Sequence, residues 1–167
     1  MTLGEKIMQM NQYTLGRNTV ENNLREMVGK VPAEAGSVIY FSDDAELRNA
    51  MQKRCVEESR LGIPMLFGHD VIHGYRTIAP VPLAQAASWN PALVEKVSAD
   101  AAREASACGV DWTFSPMVDV ARDPRWGRVM EGYGEDVYLT SEFCRAAVRG
   151  YQGADLSDEG TIAACLK

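Results

Sequence analysis

The sequence predicts an α/β protein with a parallel sheet: the N-terminal half of a (β/α)8 TIM-type barrel, about four β/α units with the last helix missing. Three observations lead there. From residue 36 onward, short runs rich in β-branched and aromatic residues alternate with longer stretches of helical period, and helices between successive buried strands imply parallel pairing. The unusual polar residues fall just after those runs: Asp43, then His69 to Arg76, then Asp119 to Arg128, then Lys167. A barrel builds its site from those strand ends. Finally, the chain has 167 residues, where a closed barrel takes about 250. Residues 1–35 are expected as N-terminal helices leading into the barrel, and residues 36–167 as its first half, truncated after strand four.

Taken in order, Thr2-Leu-Gly-Glu5 has the form of a capping box and opens a short helix to about Met10. Val20, Leu24, Met27, Val28 and Val31 recur at helical spacing and give a second helix, which Pro32 ends. Gly36 to Phe41 reads as the first buried strand. Asp43, Asp44 and Glu46 begin the next helix, with Lys53 and Arg54 later along it, the polarity that a helix dipole favours. Leu47, Met51 and Cys55 mark its inward stripe, and Gly62 its stop. Pro64 to Gly68 is the second strand, and Thr77 to Trp89 a long connection with one short helical turn. Asn90-Pro91 starts a helix as N-cap and first residue; Leu93, Val97, Ala101 and Ala105 line one face, and Gly109 closes it. Trp112 to Phe114 is the third strand. Leu139, Phe143, Ala146, Ala147 and Gly150 mark a further helix, and Thr161 to Leu166 the fourth strand.

Composition narrows the function. A chain 46% hydrophobic and 24% charged buries a real core and is not disordered. Its net charge of −6, with basic residues interleaved among acids, argues against nucleic acid and against an anionic membrane. No apolar run approaches the roughly 20 residues of a membrane span. Met1 is followed at once by a helix signal, with no charged segment and apolar stretch of a secretion leader; the compartment is left open. Cys55, Cys108, Cys144 and Cys165 have no close spacing, so buried reduced thiols are expected.

Chemistry concentrates in Arg122-Asp-Pro-Arg-Trp-Gly-Arg128 and its continuation through Glu131 to Asp136. Pro124 and Gly127 break both helical and strand periods, so this is a shaped loop. Three guanidiniums in one loop repel unless carboxylates or a polyhydroxylated ligand lie between them. The plain alternative is an ion-pair knot that only fixes the loop, with Arg122 on Asp123 and Arg125 on Glu131. Trp126 or Trp112 could pack on a ligand's apolar face or serve as loop core. His69, Asp70 and His73 have a spacing that suggests a metal hydrolase, but Pro64 and the preceding strand put them on a loop, and the chain has no other histidine.

Five ordered stretches, Thr2 to Lys6, Phe67 to Arg76, Phe114 to Asp119, Arg122 to Arg128 and Glu131 to Asp136, resemble the N-terminal barrel domain of glycoside hydrolase family 3, the β-glucosidase and β-xylosidase group. Gly4 departs from the acidic residue common in the opening motif and puts nothing catalytic in doubt. The resemblance implies a retaining, exo-acting O-glycosyl hydrolase that removes terminal non-reducing β-D-glucosyl or related residues from a β-linked oligosaccharide or an aryl or alkyl glucoside. It implies that Asp70, Arg128 and Lys167 grip the terminal sugar, with Arg76 joining in some members. The family's nucleophile and acid/base lie further along, so no catalytic residue is expected within this segment, which alone is expected to be inactive; its missing partner is the C-terminal part of the same enzyme. Hydrolysis by two carboxylates needs no cofactor and no metal. A non-catalytic sugar-binding barrel remains as the alternative, and sequence past Lys167 would separate the two.

Overall fold

The computed structural model describes residues 1–15, 26, 28–42 and 44–167, which form two compact units, Met1–His69 and Asp70–Lys167.

In the first unit, helix α1 (Leu3–Gln9) opens as the sequence predicts. The Thr2 hydroxyl accepts the Glu5 N–H at 3.3 Å, and the Glu5 carboxylate accepts the Thr2 N–H at 2.6 Å. Strand β1 (Gln12–Leu15) follows, then β2 (Ser37–Tyr40), helix α2 (Ala45–Glu57) and β3 (Leu66–His69). Both β1 and β3 pair with β2 in parallel, in the registers Gln12↔Ser37 and Ser37↔Leu66. Asp44 caps α2 by accepting the Leu47 N–H at 3.0 Å, and Leu47, Met51 and Cys55 are the residues that α2 buries. Together with Leu15, Val38, Met65 and Phe67 they form the unit's core. The expected first-turn acid Asp43 lies outside the described residues, as do Val20, Leu24 and Met27 of the second helix; residues 28–30 of that helix are helical.

Strand β1 corrects the expectation that residues 1–35 supply helices alone. Its burial alternates until Leu15, which is the one residue of the four that is buried. A four-residue run with a single buried side chain carries too little periodicity to stand out in sequence. What makes it a strand is the pairing with β2, a non-local contact. Gly36 permits the close fit at this corner, because a Cβ there would lie 1.8 Å from the Gln9 carbonyl oxygen.

The second unit holds α3 (Pro82–Ala86), α4 (Pro91–Ala107), β4 (Trp112–Thr113), a 3-10 turn (Val129–Glu131), α5 (Val137–Gln152) and β5 (Ala163–Ala164). β4 and β5 are parallel, and both are shorter than the runs that announce them. Asn90 caps α4 and Asp136 caps α5, each accepting the N–H three residues on. The inward stripe of α4 keeps the expected Ala101 and Ala105, but Val94 and Ser98 are buried in place of Leu93, which is exposed, and Val97, with Ala102 buried beside them. The small residues let α5 approach closely, and Phe143, Ala146, Ala147, Gly150 and Tyr151 form its buried face. Buried Tyr151 donates to the Val71 carbonyl at 2.6 Å, and the Val71 N–H donates to the Thr113 hydroxyl at 2.9 Å. These bonds fix the start of the loop that carries Asp70.

Gly150 sets the spacing of α4 and α5, since a Cβ there would lie 2.3 Å from the Glu95 carbonyl oxygen and 2.6 Å from the Ser98 Cβ. Alanine would gain about 1 kcal/mol in helix propensity. Overpacking against backbone costs about 1–3 kcal/mol and more where nothing can yield. We therefore expect Gly150→Ala to lower stability by about 1–3 kcal/mol in urea unfolding; an unchanged or higher midpoint would show that the helices can part freely.

Candidate functional site

The site starts with backbone. Beyond the β4–β5 ladder the two segments stay paired: the Cys165 N–H donates to the Ser115 carbonyl at 3.1 Å, the Lys167 N–H to Pro116 at 3.0 Å, and the Val118 N–H to Lys167 at 2.8 Å. Lys167 is thereby held on both sides at its peptide groups. The loop after Asp119 is closed by the Ala121 N–H donating to Gly134 at 3.0 Å. Inside it, turns at Asp123–Trp126 and Trp126–Val129 carry the chain round to Glu131. Gly132 lies against the Asp119 carbonyl, 3.2 Å from where a Cβ would stand.

Two carboxylates organise the arginines, and neither pairing is the expected one. Arg125 forks onto Asp123, at 2.6 Å from Nη2 to Oδ2 and 3.0 Å from Nε to Oδ1. Arg128 forks onto Glu131, with Nε to Oε1 and Nη2 to Oε2 both at 2.7 Å. The reason is local: Asp123 Oδ1 also accepts the Arg125 N–H at 2.9 Å, a side-chain turn that brings the two groups together, and a three-residue step into the 3-10 turn puts Arg128 and Glu131 on one side. The second pair then extends. Lys167 Nζ stands 3.2 Å from Glu131 Oε2 and 3.6 Å from Asp70 Oδ1. Asp70, Arg128 and Lys167 are thus brought together, and Glu131, which sequence reasoning assigned to Arg125, joins them. Its signal was present in the Arg128-to-Glu131 spacing.

The electrostatics follow the contacts. Hydrogen bonds from Arg128, then the Lys167 ammonium, hold the Glu131 carboxyl down to about 2 against the opposing effect of its partial burial. The Arg128 guanidinium is raised by Glu131 first, with Asp119 and Asp70 adding to it. Arg76 follows Asp70 on the same loop, and its exposed segment is pinned from behind: Glu104 accepts the Arg76 N–H at 2.9 Å, the Thr77 N–H at 2.8 Å and the Thr77 hydroxyl at 2.6 Å. These bonds lower the Glu104 pKa.

The histidine reading finds a different use for its residues. His73 Nδ1 lies 2.8 Å from the Ala79 carbonyl, which can only accept, so Nδ1 carries the proton and ties the loop across Gly74 and Ile78. Among the described residues no three His, Cys, Asp or Glu side chains are grouped to hold a metal ion. Trp112, half-buried on β4, meets Phe114 edge to face at 4.9 Å, while Trp126 is partly exposed. All four cysteines are free thiols. No helix among the described residues is long and apolar enough to cross a membrane.

Parallel strands separated by helices, with an ionic cluster gathered past the strand ends, define an α/β chain of the barrel-enzyme type. The sequence profile of the glycosyl hydrolase family 3 N-terminal domain matches residues 2–167, and the chain belongs to that family. It is similar to a periplasmic beta-glucosidase of Salmonella typhimurium, 38% identical over the whole of this chain and 21% of the relative. A beta-xylosidase of Formosa agariphila is 40% identical over 65% of this chain and 17% of the relative. Among solved structures, a beta-glucosidase from Listeria innocua in complex with laminaribiose is 42% identical, with a TM-score of 0.85 over 100% of this chain and 25% of that one. That likeness shows the expected fold, the first part of a barrel domain. The chain spans about a sixth to a quarter of the length of these relatives.

Glu131 supplies a pH test of the cluster. A carboxyl held at about 2 instead of its usual 4.5 contributes stability that is full above the usual value and is lost as pH falls through the lowered one. Carboxyl-detected NMR should therefore give Glu131 a midpoint near 2. A midpoint of 4 or above would mean that the Arg128 fork is open in solution.

Proposed function

We propose that this chain supplies the sugar-gripping part of a retaining, exo-acting β-glucosidase-type glycoside hydrolase. In it Asp70, Arg128 and Lys167 hold the terminal non-reducing sugar, with Arg76 at its edge. The observation that carries this reading is the Lys167 ammonium standing between the carboxylates of Asp70 and Glu131, beside Arg128. A vicinal diol both donates and accepts. An acceptor-only carboxylate next to donor-only cations matches it, and each of these bonds is charge-assisted. At 3.6 Å the Lys167–Asp70 contact is too long for a strong hydrogen bond, so a hydroxyl entering between them gains more than it displaces.

The chemistry itself asks for two carboxyl groups about 5 Å apart across the scissile bond. Glu131 cannot serve as its acid, because a general acid needs a raised pKa and Glu131 has a lowered one. The nucleophile and the acid/base belong, in this reading, to the remainder of the longer protein. The beta-glucosidase and beta-xylosidase relatives support the reaction class, and the Listeria beta-glucosidase complexes with laminaribiose and with glucose support the ligand class.

A hydrogen bond to a charged group contributes about 1.5–3 kcal/mol, and truncating a carboxylate that accepts two costs about 3–5. In the full-length enzyme acting on a nitrophenyl β-glucoside, Asp70→Ala should lower kcat/KM roughly 100- to 10,000-fold. Asp70→Asn, which keeps shape but loses charge, should lower it too at an unchanged melting temperature. A near-wild-type Asp70→Asn enzyme would refute the grip. A parent enzyme that releases the α-anomer first, seen by NMR during hydrolysis, would refute the retaining course.

A further inference from the structure

Glu131 is the residue of the cluster that nothing above gives a task in binding. Its carboxylate oxygens are nearly used up within the protein: Oε1 takes Arg128 Nε, and Oε2 takes both Arg128 Nη2 and Lys167 Nζ. A carboxylate so engaged, and ionised at any working pH, is neither a proton donor nor a free acceptor for a ligand. What it does is geometric. By taking both Nε and Nη2 of the guanidinium it fixes the plane of Arg128 and leaves Nη1 outside the fork. By taking one of the three ammonium donors it parks Lys167 within reach of Asp70. Arginine and lysine side chains each carry about 2 kcal/mol of rotamer entropy, which a ligand would otherwise have to quench on binding.

We infer that Glu131 is the positioning residue of the sugar site, preorganising Arg128 and Lys167 as a pair without touching the sugar. This rests on the functional reading above and adds to it. Two features place the role at the site and not in the loop's general stability. The loop is already closed by the Ala121–Gly134 backbone bond and by the Arg125–Asp123 fork. Moreover, Lys167 comes from a segment 36 positions away in the chain, so the Glu131–Lys167 contact links the two ends of the cluster.

The test uses Glu131→Gln and Glu131→Asp in the full-length enzyme, with a nitrophenyl β-glucoside as substrate and glucose as competing product. Glutamine presents an NH2 group to one of the two cations. Aspartate keeps the charge but is one methylene short of reaching both. A positioning role for uniformly used contacts predicts a tenfold or larger rise in KM and in the glucose inhibition constant, with kcat within about threefold and the melting temperature unchanged. In an Arg128→Met background, Glu131→Gln should then have less than half its single-variant effect on a logarithmic scale, because the partner it positions is gone. If Glu131→Gln folds poorly, Glu131→Asp carries the same comparison. An unchanged KM in a folded variant overturns the inference while leaving the functional reading intact. A collapse of kcat with a shifted acid limb of the pH profile also overturns it, by making Glu131 a catalytic residue. A wild-type enzyme that neither hydrolyses the glucoside nor binds glucose overturns the functional reading, and this inference falls with it.

Discussion

Where Lys167 stands is decided by two backbone hydrogen bonds, and the site is built outward from them. The Lys167 N–H reaches the Pro116 carbonyl and the Lys167 carbonyl takes the Val118 N–H. A side chain with four rotatable bonds is a poor anchor, but its Cα is here as fixed as a residue in a sheet. The same pairing holds residues 115–118, and from Asp119 onward the arginine loop departs. One strand-like contact therefore sets both the cation and the origin of the loop that meets it. The ladder itself is short, and beyond it these single bonds keep the two segments paired.

Behind this lies a second layer that keeps the strand ends rigid. Tyr151 is buried on α5 and spends its hydroxyl on the Val71 carbonyl, one residue past Asp70. Burial pushes the Tyr151 hydroxyl up, so it remains a donor at any ordinary pH. Glu104 on α4 does the equivalent for Arg76 and Thr77 from the outside. Helices α4 and α5 are thus more than sheet cover, since each sends one polar side chain to hold the loop that carries the proposed sugar contacts. The close approach at Gly150 matters for the same reason: parting the helices would move both anchors.

Much of this was legible in the sequence. The capping box at Thr2, the N-cap at Asn90 and the buried stripe of α2 are local signals, fixed within one or two helical turns. The alternation of strand and helix after residue 36 gave the fold class for the same reason. Strand β1 was not legible, because Gln12–Leu15 becomes a strand through a partner more than twenty positions away. The α4 stripe was legible only in its second half, at Ala101 and Ala105, because alanines crowd that helix and several rotations fit a small-residue face about equally well. At the site, Asp70, Arg128 and Lys167 came from motif resemblance, and their convergence is visible in the structure. The ion pairs were misassigned since three arginines and two carboxylates permit several matchings, and only the turn geometry chooses among them.

That geometry also separates the two arginine forks by task. Arg125 is 89% exposed and its partner Asp123 lies two residues away. An exposed pair of this kind adds little to stability, and its use is to shape the turn. The Arg128–Glu131–Lys167 set is different, with Lys167 only 26% exposed and Glu131 31%. Partial removal from water strengthens each contact and raises the cost of leaving a charge unmatched. A fold that needed only a closed loop would have no reason to bring a fourth charge, Asp70, from a separate segment to the edge of such a set. Once there, Asp70 stays half-exposed, with Oδ1 3.6 Å from the Lys167 ammonium. An open acceptor beside restrained donors is what a hydroxyl-rich ring requires, and it is the feature that an ion-pair knot by itself leaves without a purpose.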